Sequence, residues 1–230
     1  MFSPSRWNFD IFKEPRGFIK LIQILFAICA FAITCDFSTN ERLSLNCGNG
    51  SIIAECSFSY PFRIYENKID VCDSKGTINL YGDFSASAQF FVFTGVIVFL
   101  YCIAISILYV FWGDVYENDG RVVKVDFVVS VAIAVFWFIA SAAWADGVQQ
   151  LKRYTEPRAI ATQAEADREK LDVLLGPTYG GLNASLIFGF ANILLWASSL
   201  WFIWKETSWA KPNDSLMEPS NVSAADGSSI

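Results

Sequence analysis

The chain has 230 residues, 53% hydrophobic and 17% charged, with a formal net charge of −6 and no histidine. Average globular usage is roughly 45–50% apolar and 25% charged, and the apolar excess here is gathered into long uncharged runs that a soluble core does not need. The missing histidine excludes His-based acid–base chemistry, Ser–His and Cys–His nucleophile pairs and His metal sites; the acidic balance argues against nucleic-acid binding, which needs a basic face.

A bilayer's hydrocarbon core is about 30 Å thick, so a spanning helix needs about 20 mostly apolar residues. Four segments meet or approach that length: 18–37, 89–112, 127–145 and 182–204. The abundant aromatic residues, 8 Trp, 8 Tyr and 21 Phe, suit belts at the two interfaces. In the first segment the strictly uncharged part runs from Leu21 to Cys35, with Lys20 placed to snorkel to one surface and Asp36 to sit at the other. This stretch also reads as a secretory signal, because basic residues precede it and Ala30-Phe31-Ala32 is a small-x-small pattern. A signal's apolar core is usually about 7–15 residues. This one continues through Ile33, Thr34 and Cys35, so retention as a span is the expectation.

Residues 38–88 form the first loop. Ile52, Ala54, Cys56, Phe58, Tyr60, Phe62 and Ile64 alternate with mostly polar residues, which predicts a strand with one buried face. Pro61 implies an edge or a break. Leu43, Leu45 and Cys47 repeat the pattern, as do Ile78 and Leu80, and 46–50 reads as a turn. A small antiparallel sheet of three or four strands over the bundle is expected; it is too small to stand alone. Its three cysteines leave one over. A disulfide between Cys47 and Cys72 would tie the sheet's ends and add about 3 kcal/mol, with Cys56 a packed thiol on the apolar face. Asn49-Gly50-Ser51 is a glycosylation sequon. Disulfides and sugars belong to a lumenal or exterior side.

Residues 146–181 form the second loop. Thr155 can cap a helix and Pro157 suits its first turn. An Ala/Glu/Leu/Lys-rich helix is expected to about Leu175, with Ile160, Ala164, Leu171 and Leu174 on one face and Gly176-Pro177 ending it. Basic residues summed over the two sides nearly tie, so the first span decides: Arg6, Lys13, Arg16 and Lys20 precede it and only Arg42 closely follows, which favours a cytoplasmic N-terminus. With four spans the tail shares that side, and the sequons at Asn213 and Asn221 should go unused. The Ser-rich tail, residues 213–230, is expected to be disordered.

Within the spans, Gln23, Thr94, Ser106, Ser130, Ser141, Ser185, Asn192 and Ser198 are polar. Ser185/Gly189, Ser130/Ala134 and Ser141/Ala145 are small-xxx-small pairs that let helices approach closely, and Asn192 can hydrogen-bond across them. Ser185, Gly189, Asn192, Ser141 and Ala145 are therefore candidate packing or partner faces. No charge is expected deep in any span, which disfavours pumping and coupled transport. No Walker A loop, GxSxG or CxxC pair is present, so no catalytic site, metal or cofactor is predicted and the chain is not read as an enzyme.

Five stretches carry a resemblance: "FKEPRGFIKLIQILFAICAFA" at 12–32, "YPFRI" at 60–64, "GDFSASAQFFVFTGVIVFLY" at 82–101, "DFVVSVAIAVFWFIASAAWADG" at 126–147 and "GLNASLIFGFANILLWASSLWFIWKETSWAKP" at 181–212. In them the chain resembles the synaptophysin family, which includes synaptoporin and pantophysin and belongs to the MARVEL-type four-span proteins. The resemblance covers about 9–212. It implies an all-α membrane fold, a four-helix transmembrane bundle with a small disulfide-tied lumenal sheet in the first loop. Around it stand a cytoplasmic N-terminus at 1–17, a four-span domain at 18–212 and the cytoplasmic tail. Cys47, Cys72 and Asn49 sit where the family carries its first-loop cysteines and glycan.

The resemblance further implies a scaffold of synaptic or secretory vesicles that acts in vesicle formation and exocytosis. Its implied partners are synaptobrevin, the vesicle proton pump, cholesterol in the lipid membrane and further copies of itself. Two departures stand out: 146–181 lacks the family's second cysteine pair, and the tail lacks tyrosine. These put tail-based regulation in doubt and suggest a short-tailed invertebrate or broadly expressed member. The rival readings are an oligomeric vesicle-membrane channel, which needs a continuous polar stripe, and a junctional or adhesion tetraspan.

Overall fold

The computed structural model describes residues 9–48, 50–72, 76–113, 116, 120–167 and 170–206. A 3-10 turn, Phe9–Lys13, leads into α1, Pro15–Cys35. The further helices are α2, Ser85–Phe111; α3, Gly120–Tyr154; α4, Pro157–Gln163; and α5, Gly180–Glu206. Four of them, α1, α2, α3 and α5, are long and apolar enough to cross a membrane. Each spanning helix packs on two others: α1 on α2 and α5, and α3 on α2 and α5. The bundle thus closes on itself.

The pattern along these helices is the inverse of a soluble bundle. On α1 the buried positions are Gly17, Lys20, Gln23, Ala27, Ala30 and Thr34, spaced three and four apart. On α5 they include Ser185, Asn192, Trp196 and Ser199. Leu25, Phe93, Leu100, Phe136, Phe138 and Leu194 point outward and are exposed. Apolar surface facing out carries no penalty in hydrocarbon, and small or polar residues facing in allow close approach and hydrogen bonding. Gly95 and Gly189 show the closeness: a Cβ on Gly95 would lie 3.1 Å from Phe31, and one on Gly189 would lie 3.1 Å from Phe91.

Helix α3 is 35 residues long, well beyond the predicted 127–145. At about 1.5 Å per residue it is about 52 Å long, longer than the hydrocarbon core. Its last turns run on toward a cap, with Gly147, Val148 and Leu151 buried and Gly147 against Ser87 of α2. The cap is a three-stranded antiparallel sheet in the order β2-β1-β5: β1 is Ser38–Asn46, β2 Ser51–Ser59 and β5 Leu171–Leu175. Beside it β3, Lys68–Asp70, pairs with β4, Thr77–Asn79. The alternation read in 52–58 holds: Ala54, Cys56 and Phe58 face the core. The strand breaks at Ser59, before Pro61.

The second loop departs from expectation. Its helix, α4, starts with Pro157 as predicted, but Glu156 rather than Thr155 occupies the N-cap position. The helix stops at Gln163, and Glu165 turns left-handed at φ +56. Leu171–Leu175 is then a strand, paired to β1 through Leu43 and Leu45 with a register shift between Arg42 and Leu43. Local composition favoured helix. The open edge of β1 offered backbone partners that a helix could not use, and tertiary pairing won.

Cys47 and Cys72 are disulfide-bonded with Cα atoms 5.2 Å apart. The bridge links the end of β1 to the end of β3, so it ties the three-stranded sheet to the small hairpin. Cys56 is a buried free thiol. Asn49 and the tail, with Asn213 and Asn221, lie outside the described residues.

Candidate functional site

The first turns of α1 and α3 and the last turns of α2 and α5 meet at one end of the bundle, the base. Here the structure corrects two readings. Lys20 does not snorkel outward; its side chain turns into the bundle and is 1% exposed. Asp126, placed just outside the third span, lies within α3 and is 3% exposed. A basic and an acidic side chain therefore sit inside a bundle predicted to hold no buried charge.

Asp126 is saturated with donors. Its Oδ2 accepts from Tyr109 at 3.1 Å and Tyr116 at 2.8 Å. Its Oδ1 accepts from Tyr101 and from Ser130 at 3.2 Å. Two tyrosines come from α2, one from the segment after it, and Ser130 lies one turn along α3. Four hydroxyl donors replace much of the hydration that an ionised carboxylate loses on burial. Tyr109 and Tyr116 also meet edge to face with centroids 4.7 Å apart.

Lys20 is held differently. Its Nζ lies 4.7 Å from the Trp196 ring centroid and 5.7 Å from that of Tyr101, positions of cation–π attraction. It has no hydrogen-bond partner among the described residues. Gln23, one turn on, accepts weakly from the Cys102 thiol at 3.7 Å while its Nε2 is unpartnered. Ile11, in the 3-10 turn before α1, is 4% exposed and packs with Tyr109, Tyr116 and Ile203 across the base. Gly17 permits this fold-back, because a Cβ there would collide with the Ile11 carbonyl.

The predicted packing residues all face inward or between helices. Gly189 offers its carbonyl to Trp137 Nε1 at 2.8 Å, and Ser185 Oγ receives Trp144 Nε1 at 3.4 Å. Ser141 and Asn192 are fully buried, and Ala145 is half-buried. This stripe packs against the chain's own helices, the packing side of that expectation. The outer surface instead has an apolar groove of about 270 Å³ between α2 and α3, lined by Phe90, Phe93, Ile97, Ile133 and Phe136 among others.

At the opposite end an aromatic layer joins bundle to cap. Phe62, within the "YPFRI" stretch, holds φ +72, uncommon for a bulky residue, and packs on Phe37, Tyr60 and Trp144. Above it Glu41 of β1 faces inward, opposite Cys56, with neither carboxylate oxygen hydrogen-bonded among the described residues. Burial pushes its carboxyl from 4.5 up to about 7. Burial, and then the Glu41 charge, push the Cys56 thiol up to about 12.

Sequence reasoning missed Lys20, Asp126 and Glu41. For Lys20 a signal existed: it falls on the same helical face as Gln23, Ala27 and Ala30, the face of α1 that packs inward. Asp126 likewise lies one turn before Ser130.

Residues 11–202 match the membrane-associating domain family called MARVEL. The chain belongs to the MARVEL family. That match runs from the buried Ile11 at the base to the last turns of α5, and so takes in all four spans and the cap. A MARVEL chain of this build is a membrane-associated four-span protein. Among the described residues no group of three or more His, Cys, Asp or Glu side chains could hold a metal ion.

Proposed function

We propose that this MARVEL protein is a scaffold of synaptic or secretory vesicle membranes of the synaptophysin type. It binds the membrane span of synaptobrevin, contacts the vesicle proton pump, associates with cholesterol and self-associates during vesicle formation and exocytosis. Both termini are cytoplasmic and the disulfide-tied cap is lumenal. One observation carries this reading: the five stretches resembling that family fall in order on α1, the Tyr60–Ile64 turn, α2, α3 and α5. The disulfide supports a lumenal cap, because such bonds persist in oxidising compartments. The α2–α3 groove supports span docking, because it is apolar throughout and faces outward.

A single-chain pore is opposed by the filled interior, where Trp137, Trp144 and Trp196 are all 0% exposed. The test is a cross-linking pull-down of the tagged protein from vesicle membranes, blotted for synaptobrevin. Stoichiometric recovery is expected. Its absence, with the protein present on those vesicles, would overturn the partner and leave the four-span fold standing.

A further inference from the structure

The base of the bundle has a donor excess. Lys20 Nζ, Gln23 Nε2, Trp196 Nε1 and Asn192 Nδ2 are all buried and have no acceptor among the described residues; the unpartnered oxygens in the bundle there are Asn192 Oδ1 and Ser141 Oγ, the second itself a donor. The four residues are 0–1% exposed. Lys20 and Gln23 are one turn apart on α1, and Asn192 and Trp196 are one turn apart on α5. Lys20 Nζ over the Trp196 ring shows that the two faces meet. Asp126 does not relieve the excess, because its two oxygens already accept from four hydroxyls. Inside a bilayer, unmade hydrogen bonds to a cation and to amide or indole N–H groups are strongly unfavourable.

We propose that Lys20, Gln23, Asn192 and Trp196 form a binding site for one small inorganic anion of chloride size, held between α1 and α5. Such an ion only accepts hydrogen bonds, which is what these donors lack. A water molecule brings two donors with its acceptors and leaves the excess. A lipid phosphate presents similar chemistry, but it carries a glycerol and acyl chains, whereas these four side chains are shut off from the surface. The site is independent of the vesicle-scaffold reading. It makes the α1–α5 contact, and so bundle stability, depend on the anion.

The experiment uses the full chain in phosphatidylcholine nanodiscs. Chloride replaces gluconate at constant ionic strength, and thermal unfolding is followed by tryptophan fluorescence. The expected result is a saturable rise in melting temperature with chloride, matched by bromide and absent in Lys20→Met. Trp196→Phe keeps an aromatic ring beside Lys20 while it removes the indole N–H along with one ring; it should raise the half-saturating chloride concentration roughly tenfold. That variant keeps the test open if Lys20→Met does not fold. A melting temperature indifferent to halide, a response unchanged in Trp196→Phe, or stabilisation only by added anionic lipid in gluconate would each overturn the assignment.

Discussion

Glu41 offers the sharpest test of the cap. Glu41 is 1% exposed, and both carboxylate oxygens lack a donor among the described residues. Burial raises its carboxyl from 4.5 to about 7. Between those values the folded cap keeps a proton that the unfolded chain has released. Stability therefore falls as pH rises through this window, and the whole penalty is present above about pH 7. A rise of that size corresponds to about 3 kcal/mol, an upper value because the cap is only one sheet thick. Glu41→Gln keeps the shape and removes the charge. The variant should match the wild type near pH 4.5 and exceed its stability by up to about 3 kcal/mol at pH 8. Protein in nanodiscs, unfolded thermally at half-unit steps from pH 4.5 to 8, gives both profiles. If they run parallel across the range, Glu41 does not ionise at a cost to the fold and the reasoning fails.

Three other outcomes are expected. Cys47→Ser, or reduction of the native bridge, should destabilise the cap by about 3 kcal/mol, read as earlier protease cutting within residues 46–80 while the bundle stays helical by circular dichroism. Asp126→Ala should take the carboxylate acceptor from the hydroxyls of Tyr101, Tyr109, Tyr116 and Ser130 and destabilise the bundle by about 3 kcal/mol, measured by thermal unfolding; a loss below about 1 kcal/mol would mean that the hydrogen bonds these hydroxyls make to one another suffice. Gly17→Ala should drive the 9–13 turn off the base, because its methyl meets the Ile11 carbonyl. Hydrogen exchange at Ile11–Lys13 should then speed up with the α1 core unchanged, and equal exchange in the two proteins would show the turn to be held by other contacts.

Four spans, their order and the strand over 51–59 were legible from sequence because each rests on a local signal. Twenty apolar residues in a row or a clean period of two is satisfied within one segment. The Cys47–Cys72 bridge was legible for a related reason: only three cysteines compete in the loop, and Cys56 sits on the apolar face of its strand. Tertiary structure decided the rest. Leu171–Leu175 became a strand because β1 had an open edge, which nothing within 157–175 records. Lys20 turned inward because Trp196, far along the chain, presents a ring to it. Asp126 was buried because two tyrosines from α2 and one from the following segment converge on it. In a bilayer the direction in which a polar side chain points is set by which partner reaches it, and those partners lie on other helices.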